Sequence, residues 1–473
     1  MKHLPEPFLQ QVKAELGDEM PQFLQALEKK PPVSIRFNPC KNSSQKLAFE
    51  SPIEWHTEGV YLNERPSFTL DPAFHAGAYY VQEASSMFIA EAISQTFDNE
   101  SLSKNLTALD LCAAPGGKST LLASILSKNS LLVANEVIKN RVEILKENIH
   151  KWGLPNVVVS NHDSEDFEAL EGFFDIVLVD APCSGEGLFR KDEKAIGEWS
   201  PESVQTCSAR QKRILANAVK LVKHSGVLLY STCTYNDFEN KTNALFLSEN
   251  STFQSVKLDV SRFNIVEKKW QNDDLVPIYG YQFYPHKIRG EGFFLSVFKN
   301  NATQKSPLEG ILRPPALRDS IPKLNLTKLP KKQQEIAEKW LKNAHDFDFF
   351  IKGNNEIFIV LKENIHHIAL INKVLKRKSL GTVIGEIKGA DFIPSHELAL
   401  STAISETIPY VDLDKMNALK FLKKEDIDIS ESTPPGWTLA RYEGLNVGWM
   451  KVLKNRINNY LPKNFKIRME LPI

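Results

Sequence analysis

Short apolar runs alternate with amphipathic stretches through the middle of the chain, from about residue 81 to residue 245. The runs are TALDLCAA, LLVANEV, NVVVSNHD, FDIVLVDAP and GVLLYSTCT. Each is apolar at successive positions, which is typical of parallel strands that helices cover on both faces. The stretches between them have a helical period, and one of them, NRVEILKENIHKWG, ends in glycine. The pattern predicts a doubly wound, Rossmann-like α/β domain over residues 81–300.

The flanks of this domain predict three further regions. Residues 1–80 combine a helix with short strands such as VSIRFNP, and an antiparallel strand pair around YQFYPHKIRGEGFFLSVF closes the central domain. Residues 301–320 are polar and proline-rich, so we expect a linker there. Residues 321–473 begin with the amphipathic KKQQEIAEKWLKN and end in strands around GWTLARYEGLNVGWMKVLKN. This C-terminal part is predicted to be a separate, smaller α+β region.

Composition restricts the compartment and the partners. The 58 Lys and Arg balance the 58 Asp and Glu, so any polyanion must meet a local basic patch rather than a global field. No apolar run approaches the roughly 18 residues of a membrane helix, and the N-terminus lacks the features of a signal peptide. Five cysteines, an odd number, do not suggest a disulfide framework. We expect a cytoplasmic monomer without a metal site, whose thiols are free for chemistry.

The sequence LDLCAAPGGKST predicts a cofactor loop after the first central strand. Gly116 and Gly117 allow a tight turn and a close backbone approach to a ligand. A phosphate-binding P-loop is excluded because its first glycine is replaced by Cys112. A nucleoside site requires an acid about 20 residues on. Glu136 lies 19 residues after Gly117, and Asp163 follows the third strand.

The two acids permit two interpretations. Either alone is more simply a helix cap or a solvated loop residue, but together, at successive strand ends beyond this loop, they favour a nucleoside. A pyrophosphate would need further glycines or basic residues, so S-adenosylmethionine is predicted rather than NAD. The predicted cofactor-binding residues are Cys112, Ala113, Ala114, Pro115, Gly116, Gly117, Lys118, Glu136, Asp163 and Asp180.

The end of the fourth strand points to methylation of carbon. Methyltransferases that act on an exocyclic amine have an Asn/Asp-Pro-Pro-aromatic motif here, whereas this chain has DAPC, with Asp180 and Cys183. A thiolate that adds to carbon 6 of a pyrimidine makes carbon 5 nucleophilic. A lone cysteine more often packs as a small hydrophobe. However, Cys233 in YSTCT lies at the next strand end, and the chemistry alone does not decide which of the two thiols attacks.

The three motifs DLCAAPGGK, DAPCSGEG and YSTCT resemble those of the Sun/Nop family of RNA cytosine-C5 methyltransferases, together with SIRFN, YVQEASSM and EGFFLSVF. The resemblance covers about residues 30–300, and the overall plan, with its C-terminal extension, is most similar to the RsmF type, which modifies 16S rRNA. It implies that Cys233 is the nucleophile, that Cys183 assists product release, and that Lys118 and Asp180 contact the base. We assign only packing to the thiol of Cys112, and no role to Cys40 or Cys207.

The resemblance also implies an RNA partner, 16S rRNA or the small ribosomal subunit. It identifies residues 1–80 as an RNA-binding subdomain and the C-terminus as a PUA-like domain. The segment KVLKNRINNYLPKNFKIR, residues 451–468, contains six Lys or Arg and no acid. Such runs are usually solvated faces, but the accompanying aromatic residues favour a phosphate-binding patch. The predicted RNA contacts are Arg36, Arg190, Lys451, Lys454 and Arg456.

Two rival functions remain open at this point. The chain could methylate tRNA instead of rRNA, whereas DNA is disfavoured because the Thr-Cys motif has no place in the DNA mechanism. It could also be an rRNA-binding assembly factor that has lost catalysis. The presence of Lys118, Asp180, Cys183 and Cys233 argues against that second rival.

Overall fold

The computed structural model describes residues 2–41, 47–249, 252–302, 324–353, 355–389, 391–430, 433–454 and 456–471. The predicted linker therefore lies outside the described residues, except for residues 301 and 302.

The N-terminal part consists of helices followed by a small antiparallel sheet with strand order β2-β3-β1-β4. Its helices are α1 (Glu6–Leu16), α2 (Met20–Glu28) and α3 (Pro72–His75), and its strands are β1 (Val33–Phe37), β2 (Ser51–Ile53), β3 (His56–Leu62) and β4 (Tyr79–Val81). Proline occupies the first turn of each helix, where its missing N–H leaves no hydrogen bond unmade.

The central part contains the predicted parallel strands and the helices between them. The strands are β5 (Thr107–Asp110), β6 (Leu131–Asn135), β7 (Val157–Ser160), β8 (Phe174–Asp180), β9 (Val222–Thr232), β10 (Phe253–Ser255), β11 (Val266–Gln271), β12 (Pro277–Phe283) and β13 (Phe293–Asn300). The helices are α4 (Phe88–Thr96), α5 (Asn99–Ser103), α6 (Gly117–Ile125), α7 (Lys139–Trp152), α8 (Glu193–Glu198), α9 (Pro201–Leu221) and α10 (Lys241–Ser248).

The main sheet has the order β11-β12-β13-β9-β8-β5-β6-β7, with β10 beside β13. Strands β5 to β9 pair in parallel, while β11, β12 and β13 extend the sheet in antiparallel pairs. One face packs on α4, α6 and α7 and the other on α9 and α10, so strands β5 to β7 are buried at every position. The Rossmann-like prediction is confirmed.

The C-terminal part builds two small sheets. Its strands are β14 (Thr327–Lys328), β15 (Phe347–Lys352), β16 (Glu356–Leu361), β17 (Lys378–Ser379), β18 (Thr382–Lys388), β19 (Asp391–Pro394), β20 (Tyr410–Asp412), β21 (Gly436–Tyr442), β22 (Leu445–Leu453) and β23 (Arg456–Asn459). Its helices are α11 (Lys331–Glu338), α12 (Ile365–Val374), α13 (His396–Leu400) and α14 (Lys415–Lys423). Strand β17 joins neither small sheet; it pairs with β7 at the edge of the main sheet.

The C-terminal part packs closely on the rest of the protein. Ile368 and Ile371 of α12 join the hydrophobic cluster under α9, and β17 extends the main sheet. Phe421 and Met450 share a second cluster with Ile35 of β1. Some of its apolar residues thus complete cores that begin in the N-terminal and central parts, while others, from Leu329 to Trp449, form a core of their own. The predicted separate region therefore stays a prediction.

Candidate functional site

The carboxyl ends of β5, β8 and β9 lie side by side at one edge of the main sheet, because β8 pairs in parallel with both neighbours. Asp180 ends β8, and Cys183 lies in the loop that follows it. Cys233 directly follows β9, and Lys118 lies in the first turn of α6, after the loop from β5. Ligands of open α/β sheets bind at this edge. The four predicted catalytic side chains therefore lie at or just beyond the ends of three adjacent strands, β5, β8 and β9.

Lys118 and Asp180 form an ion pair, with Nζ 2.7 Å from Oδ2. The hydroxyl of Ser231 donates to the other carboxylate oxygen, Oδ1, at 2.8 Å. Burial alone would lower the pKa of Lys118, but the charge and hydrogen bond of Asp180 outweigh it, and the pKa is raised. The two side chains remain 18% and 30% exposed. A charged donor and a charged acceptor are thus both accessible to a ligand.

The two thiols are in contact. The Sγ atoms of Cys183 and Cys233 are 3.1 Å apart, and the backbone N–H of Cys233 donates to Sγ of Cys183 at 3.3 Å. Both residues are partly exposed. The hydrogen bond with Cys233, together with burial, raises the pKa of Cys183 well above its usual value. Cys183 is therefore held as a thiol, able to donate a hydrogen bond to a neighbouring sulfur.

The loop between β5 and α6 is held in shape by α7. The carbonyl of Ala114 accepts a hydrogen bond from Arg141, at 2.6 Å, and that of Pro115 accepts one from Asn148, at 2.8 Å. Gly116 has φ +112°, which side-chain-bearing residues rarely adopt, and a Cβ there would lie 3.3 Å from Leu145. The glycine thus lets the loop turn directly into the N-terminus of α6.

Asp110, the last residue of β5, carries an unusual carboxyl group. It is fully buried, and Ser119 donates to its Oδ2 at 2.7 Å. Its Oδ1 has no hydrogen-bond partner among the described residues. Burial raises the pKa of Asp110 to about 7. A buried polar atom without a partner beside the glycine loop is suited to a ligand that donates a hydrogen bond.

Glu136 follows β6, as predicted, and its side chain is only 4% exposed. Its Oε1 accepts the N–H of Ile138 at 2.9 Å, and its Oε2 lies 3.5 Å from Nη1 of Arg141. The next two side chains, Val137 and Ile138, are 55% and 48% exposed. Exposed apolar residues beside a buried acid are suited to a ligand that combines a flat apolar ring with hydroxyl groups.

Asp163 follows β7 and caps a short 3-10 helix, Ser164–Leu170. Both of its carboxylate oxygens also bind Arg213, at 2.7 and 3.0 Å, and this pairing lowers the pKa of Asp163. The structure thus shows the capping role that the sequence offered as the simpler interpretation. A contact with adenine stays a prediction, and it would have to compete with Arg213.

Arg36 is fully buried, which corrects its prediction as an RNA contact. Its guanidinium donates to Gln82 at 2.9 Å and to Thr120 at 2.6 Å, and it lies 4.4 Å from the ring centroid of Trp152. Burial lowers the pKa of Arg36 to about 9. Arg36 joins the N-terminal sheet to α6 and does not reach solvent.

Arg190 lies at a groove of about 1320 Å³ between the N-terminal and central parts. Its guanidinium donates to the backbone carbonyls of Lys29, Lys30 and Gly290. The groove also carries exposed cations, among them Lys30, Arg65, Lys191 and Arg289, together with the acids Glu64, Glu83, Asp192 and Glu291. Arg190 thus shapes the groove wall, and Lys191 and Arg289 form ion pairs with Glu291 and Glu50, whereas Lys30 and Arg65 are exposed to solvent.

The predicted C-terminal patch is partly exposed. Lys454 and Arg456 are exposed at the turn between β22 and β23, and Lys451 lies 5.3 Å from the ring centroid of Trp437. Tyr460 packs on the same tryptophan, with ring centroids 4.4 Å apart. Cations and aromatic rings therefore share this surface. The groove beside Lys454 and Arg456 is also lined by acids, namely Glu425, Asp426 and Asp428.

Several residues at the site were not predicted. Asp110 could have been found, because it is the acid at the end of the first strand, directly before the glycine loop. Glu186 and Glu239 are both fully buried next to the cysteine loops. Nothing in the sequence distinguishes them from solvated loop acids.

Two kinds of feature are absent from the described residues. No group of His, Cys, Asp or Glu side chains there could hold a metal ion. Across the same residues, no helix is long and apolar enough to cross a membrane.

Family profiles match three parts of the chain. The profile described as 16S rRNA methyltransferase RsmB/F matches residues 101–299. The N-terminal domain of 16S rRNA methyltransferase RsmF matches residues 4–84, and the methyltransferase RsmF PUA domain matches residues 409–467.

Individual proteins give the same picture. The ribosomal RNA small subunit methyltransferase F of Vibrio vulnificus strain YJ016 is 31% identical over 98% of this chain and 97% of its own length. A methyltransferase homolog protein from Pyrococcus horikoshii is 25% identical, with a TM-score of 0.53 over 63% of this chain and 96% of its own. NSun6 from the same organism, solved with SFG, shares the fold at 20% identity, with a TM-score of 0.50 over 64% of this chain and 99% of its own.

Proposed function

Because the chain belongs to the RsmF family of RNA cytosine-C5 methyltransferases, we propose that it methylates carbon 5 of a cytosine in 16S rRNA. The observation that carries the proposal is the pair of thiols 3.1 Å apart beside the Lys118–Asp180 ion pair. Methylation of an exocyclic amine would need no thiol. A thiol that only attacked the base would need no second thiol beside it. Two thiols in contact suit a reaction in which a covalent bond to the base forms and later breaks.

Cys233 is the nucleophile in this proposal. Its thiolate adds to carbon 6, and the electron pair of the C5–C6 double bond moves toward the ring carbonyl and N3. Carbon 5 can then form the new carbon–carbon bond. Asp180 accepts a hydrogen bond from N4 of the base and, from its acid form, protonates N3 as carbon 6 is attacked, while Lys118 stabilises the negative charge that develops on the carbonyl oxygen. The ion pair supports these roles, because one partner donates and the other accepts at the same partly exposed position.

Cys183 acts in the second half of the reaction. A base removes the proton from carbon 5, the C5–C6 double bond re-forms, and the bond between carbon 6 and sulfur breaks. The leaving group is the thiolate of Cys233. Because Cys183 is held as a thiol in contact with that sulfur, it can donate a hydrogen bond to the thiolate as it leaves.

The residues of the first two strand ends fit S-adenosylmethionine. Asp110 supplies an unpartnered buried oxygen for an ammonium group, Glu136 supplies acceptors for ribose hydroxyls, and Val137 and Ile138 supply an apolar surface for adenine. Gly116 permits a close approach to the backbone. When bound, the cofactor would supply an electrophilic methyl group to carbon 5, and its sulfur would leave with the electron pair of the sulfur–methyl bond.

Replacement of Glu136 by alanine is expected to weaken S-adenosylmethionine binding. A hydrogen bond to a charged group is worth about 1.5–3 kcal/mol, so the dissociation constant should rise roughly tenfold or more. Calorimetric titration measures this directly. Glu143→Ala is the matched control, because Glu143 lies on α7 with its side chain 73% exposed. Equal affinities for both variants and the unaltered protein would contradict the assignment.

Replacement of Lys451, Lys454 and Arg456 by glutamine is expected to weaken RNA binding and to flatten its salt dependence. Each phosphate contact that is lost should reduce the slope of log K against log salt by about 0.7 for single-stranded RNA. Filter binding at several salt concentrations gives that slope. The control removes the same charge elsewhere, at the exposed Lys331, Lys332 and Lys339. If both triple variants show the same slope, the C-terminal patch is only a solvated face.

The proposed function is tested by bisulfite sequencing of total RNA from cells with and without the gene. We expect one or more cytosines of 16S rRNA to lose protection when the gene is absent. Purified protein with S-adenosylmethionine should restore 5-methylcytosine on that RNA, measured by mass spectrometry of nucleosides. Loss of protection in tRNA alone would favour the tRNA enzyme, and no change in any RNA would favour a non-catalytic assembly factor.

A further inference from the structure

Two fully buried carboxylates lie under the loops that carry Cys183 and Cys233. Glu186 is three residues beyond Cys183, and Glu239 is six residues beyond Cys233. Buried carboxylates are costly unless donors satisfy them. No lysine, arginine or histidine forms an ion pair with either one among the described residues, and their partners are instead N–H groups. Several of those N–H groups belong to the opposite cysteine loop.

Glu186 binds the opposite loop. Its Oε2 accepts the backbone N–H groups of Tyr235 and Asn236, at 2.7 and 3.1 Å. Its Oε1 accepts the side-chain amide of Asn236 at 3.0 Å and the indole N–H of Trp199 at 3.0 Å. A carboxylate from the Cys183 loop therefore holds the backbone two and three residues after Cys233.

Glu239 makes the reciprocal contact. Its Oε2 accepts the backbone N–H of Ser184, the residue after Cys183, at 3.0 Å. The same oxygen accepts the amide of Gln211 at 2.7 Å, and Gln211 also donates to the carbonyl of Pro182, the residue before Cys183. A carboxylate from beyond Cys233 therefore holds the backbone on one side of Cys183 directly and on the other side through Gln211.

A single amide joins the two carboxylates. Nδ2 of Asn236 lies 3.0 Å from Oε1 of Glu186 and 2.7 Å from Oε1 of Glu239. The backbone adds a direct link between the loops, since the N–H of Gly187 donates to the carbonyl of Cys233 at 2.8 Å. Apart from the contact of Glu186 with Trp199, these contacts cross between the two loops or tie them to one shared group.

We propose that Glu186 and Glu239 form a reciprocal carboxylate clamp that sets the distance between the sulfur atoms of Cys183 and Cys233. Neither carboxylate touches the sulfur atoms, so both are positioning residues. The catalytic role of the clamp rests on the proposed function. In that function, Cys183 can assist departure of the Cys233 thiolate only while the two sulfur atoms remain in contact. A displacement of 1 Å at a reacting centre can cost about 100-fold in rate.

The test uses Glu186→Gln and Glu239→Gln, which keep the shape of the side chain. Each glutamine presents an NH₂ group where the carboxylate accepted N–H groups on both oxygens, so donor faces donor and the loop must move. The matched control is Glu397→Gln, which removes a mostly buried carboxyl group from α13, in the C-terminal part.

The first measurement is the equilibrium of the thiol pair with glutathione. Oxidised glutathione takes two electrons and two protons from the thiols, a bond forms between the two sulfur atoms, and two reduced glutathione molecules are released. The equilibrium constant of this exchange gives the effective concentration of one protein thiol at the other. This effective concentration reports how closely the two sulfur atoms are held together. We expect it to fall about tenfold or more in both clamp variants and to stay unchanged in Glu397→Gln. An unchanged or increased value in the clamp variants would overturn the proposal.

The second measurement is steady-state methylation. We expect kcat to fall about tenfold or more while KM for RNA and for S-adenosylmethionine stays within about twofold. If neither glutamine variant folds, Glu186→Asp and Glu239→Asp replace them. Aspartate keeps the charge, but its side chain is one methylene shorter, and the same two measurements are made. The thiol equilibrium is measured without RNA. It therefore tests the clamp even if the unaltered protein methylates nothing and the proposed function fails.

Discussion

Replacement of Cys233 by alanine is expected to abolish methyl transfer to RNA. Without a thiolate that adds to carbon 6, carbon 5 of cytosine is too weak a nucleophile to accept a methyl group. Removal of an enzyme nucleophile commonly costs about 10⁴-fold or more in rate. We therefore expect the activity of Cys233→Ala to lie at the background of the assay, measured as 5-methylcytosine formed per enzyme by mass spectrometry.

The same variant should bind S-adenosylmethionine normally. The residues proposed to hold the cofactor follow β5 and β6, whereas Cys233 follows β9. Cys207→Ala is the matched control, because Cys207 is also a partly exposed cysteine but lies on α9. It should keep full activity. Substantial methylation by Cys233→Ala would show that another group attacks the base.

The central fold could be predicted because each of its strands is recognisable from a short stretch of adjacent residues. Each strand from β5 to β9 is apolar on both faces, so its burial is readable from a few adjacent residues. Once the strands are ordered, Asp180, Cys183 and Cys233 must meet, since all three lie at or just beyond the ends of paired strands. The loop from Cys112 to Gly117 could likewise be recognised from its glycines alone.

The remaining features depend on partners that are distant in sequence. Arg36 looked like a surface cation, and it is buried because Thr120 and Trp152 surround it. Asp163 is occupied by Arg213, 50 residues away. No pattern around either residue indicates these partners, so a single sequence could not have predicted them.

The C-terminal part shows the same limitation at a larger scale. The two residues of β17 are too few to give a strand pattern, yet they pair with Ser160 and Val159 at the edge of the main sheet. Helix α12 is amphipathic in the ordinary way, and its sequence does not indicate which core its apolar face joins. The bounds of the four predicted regions stay predictions.

Replacement of Cys183 by alanine is expected to trap the enzyme on its substrate. Attack by Cys233 and transfer of the methyl group do not require Cys183, so both should still occur. The bond between carbon 6 and sulfur is not broken spontaneously, because the proton on carbon 5 must leave and the departing thiolate must be stabilised. Alanine removes the thiol that lies 3.1 Å from that sulfur. A covalent protein–RNA complex that survives denaturing electrophoresis should therefore accumulate.

The double variant Cys183→Ala/Cys233→Ala is the decisive control. It should form no covalent complex, because the bond cannot form without Cys233. Mass spectrometry of the RNA-linked peptide from Cys183→Ala should identify Cys233 as the attached residue. A covalent complex formed by Cys233→Ala, or linkage through Cys183 in the unaltered protein, would reverse the two roles. The thiol after Pro182 would then attack the base, as in the DNA cytosine-C5 methyltransferases, and Cys233 would take over the part in product release.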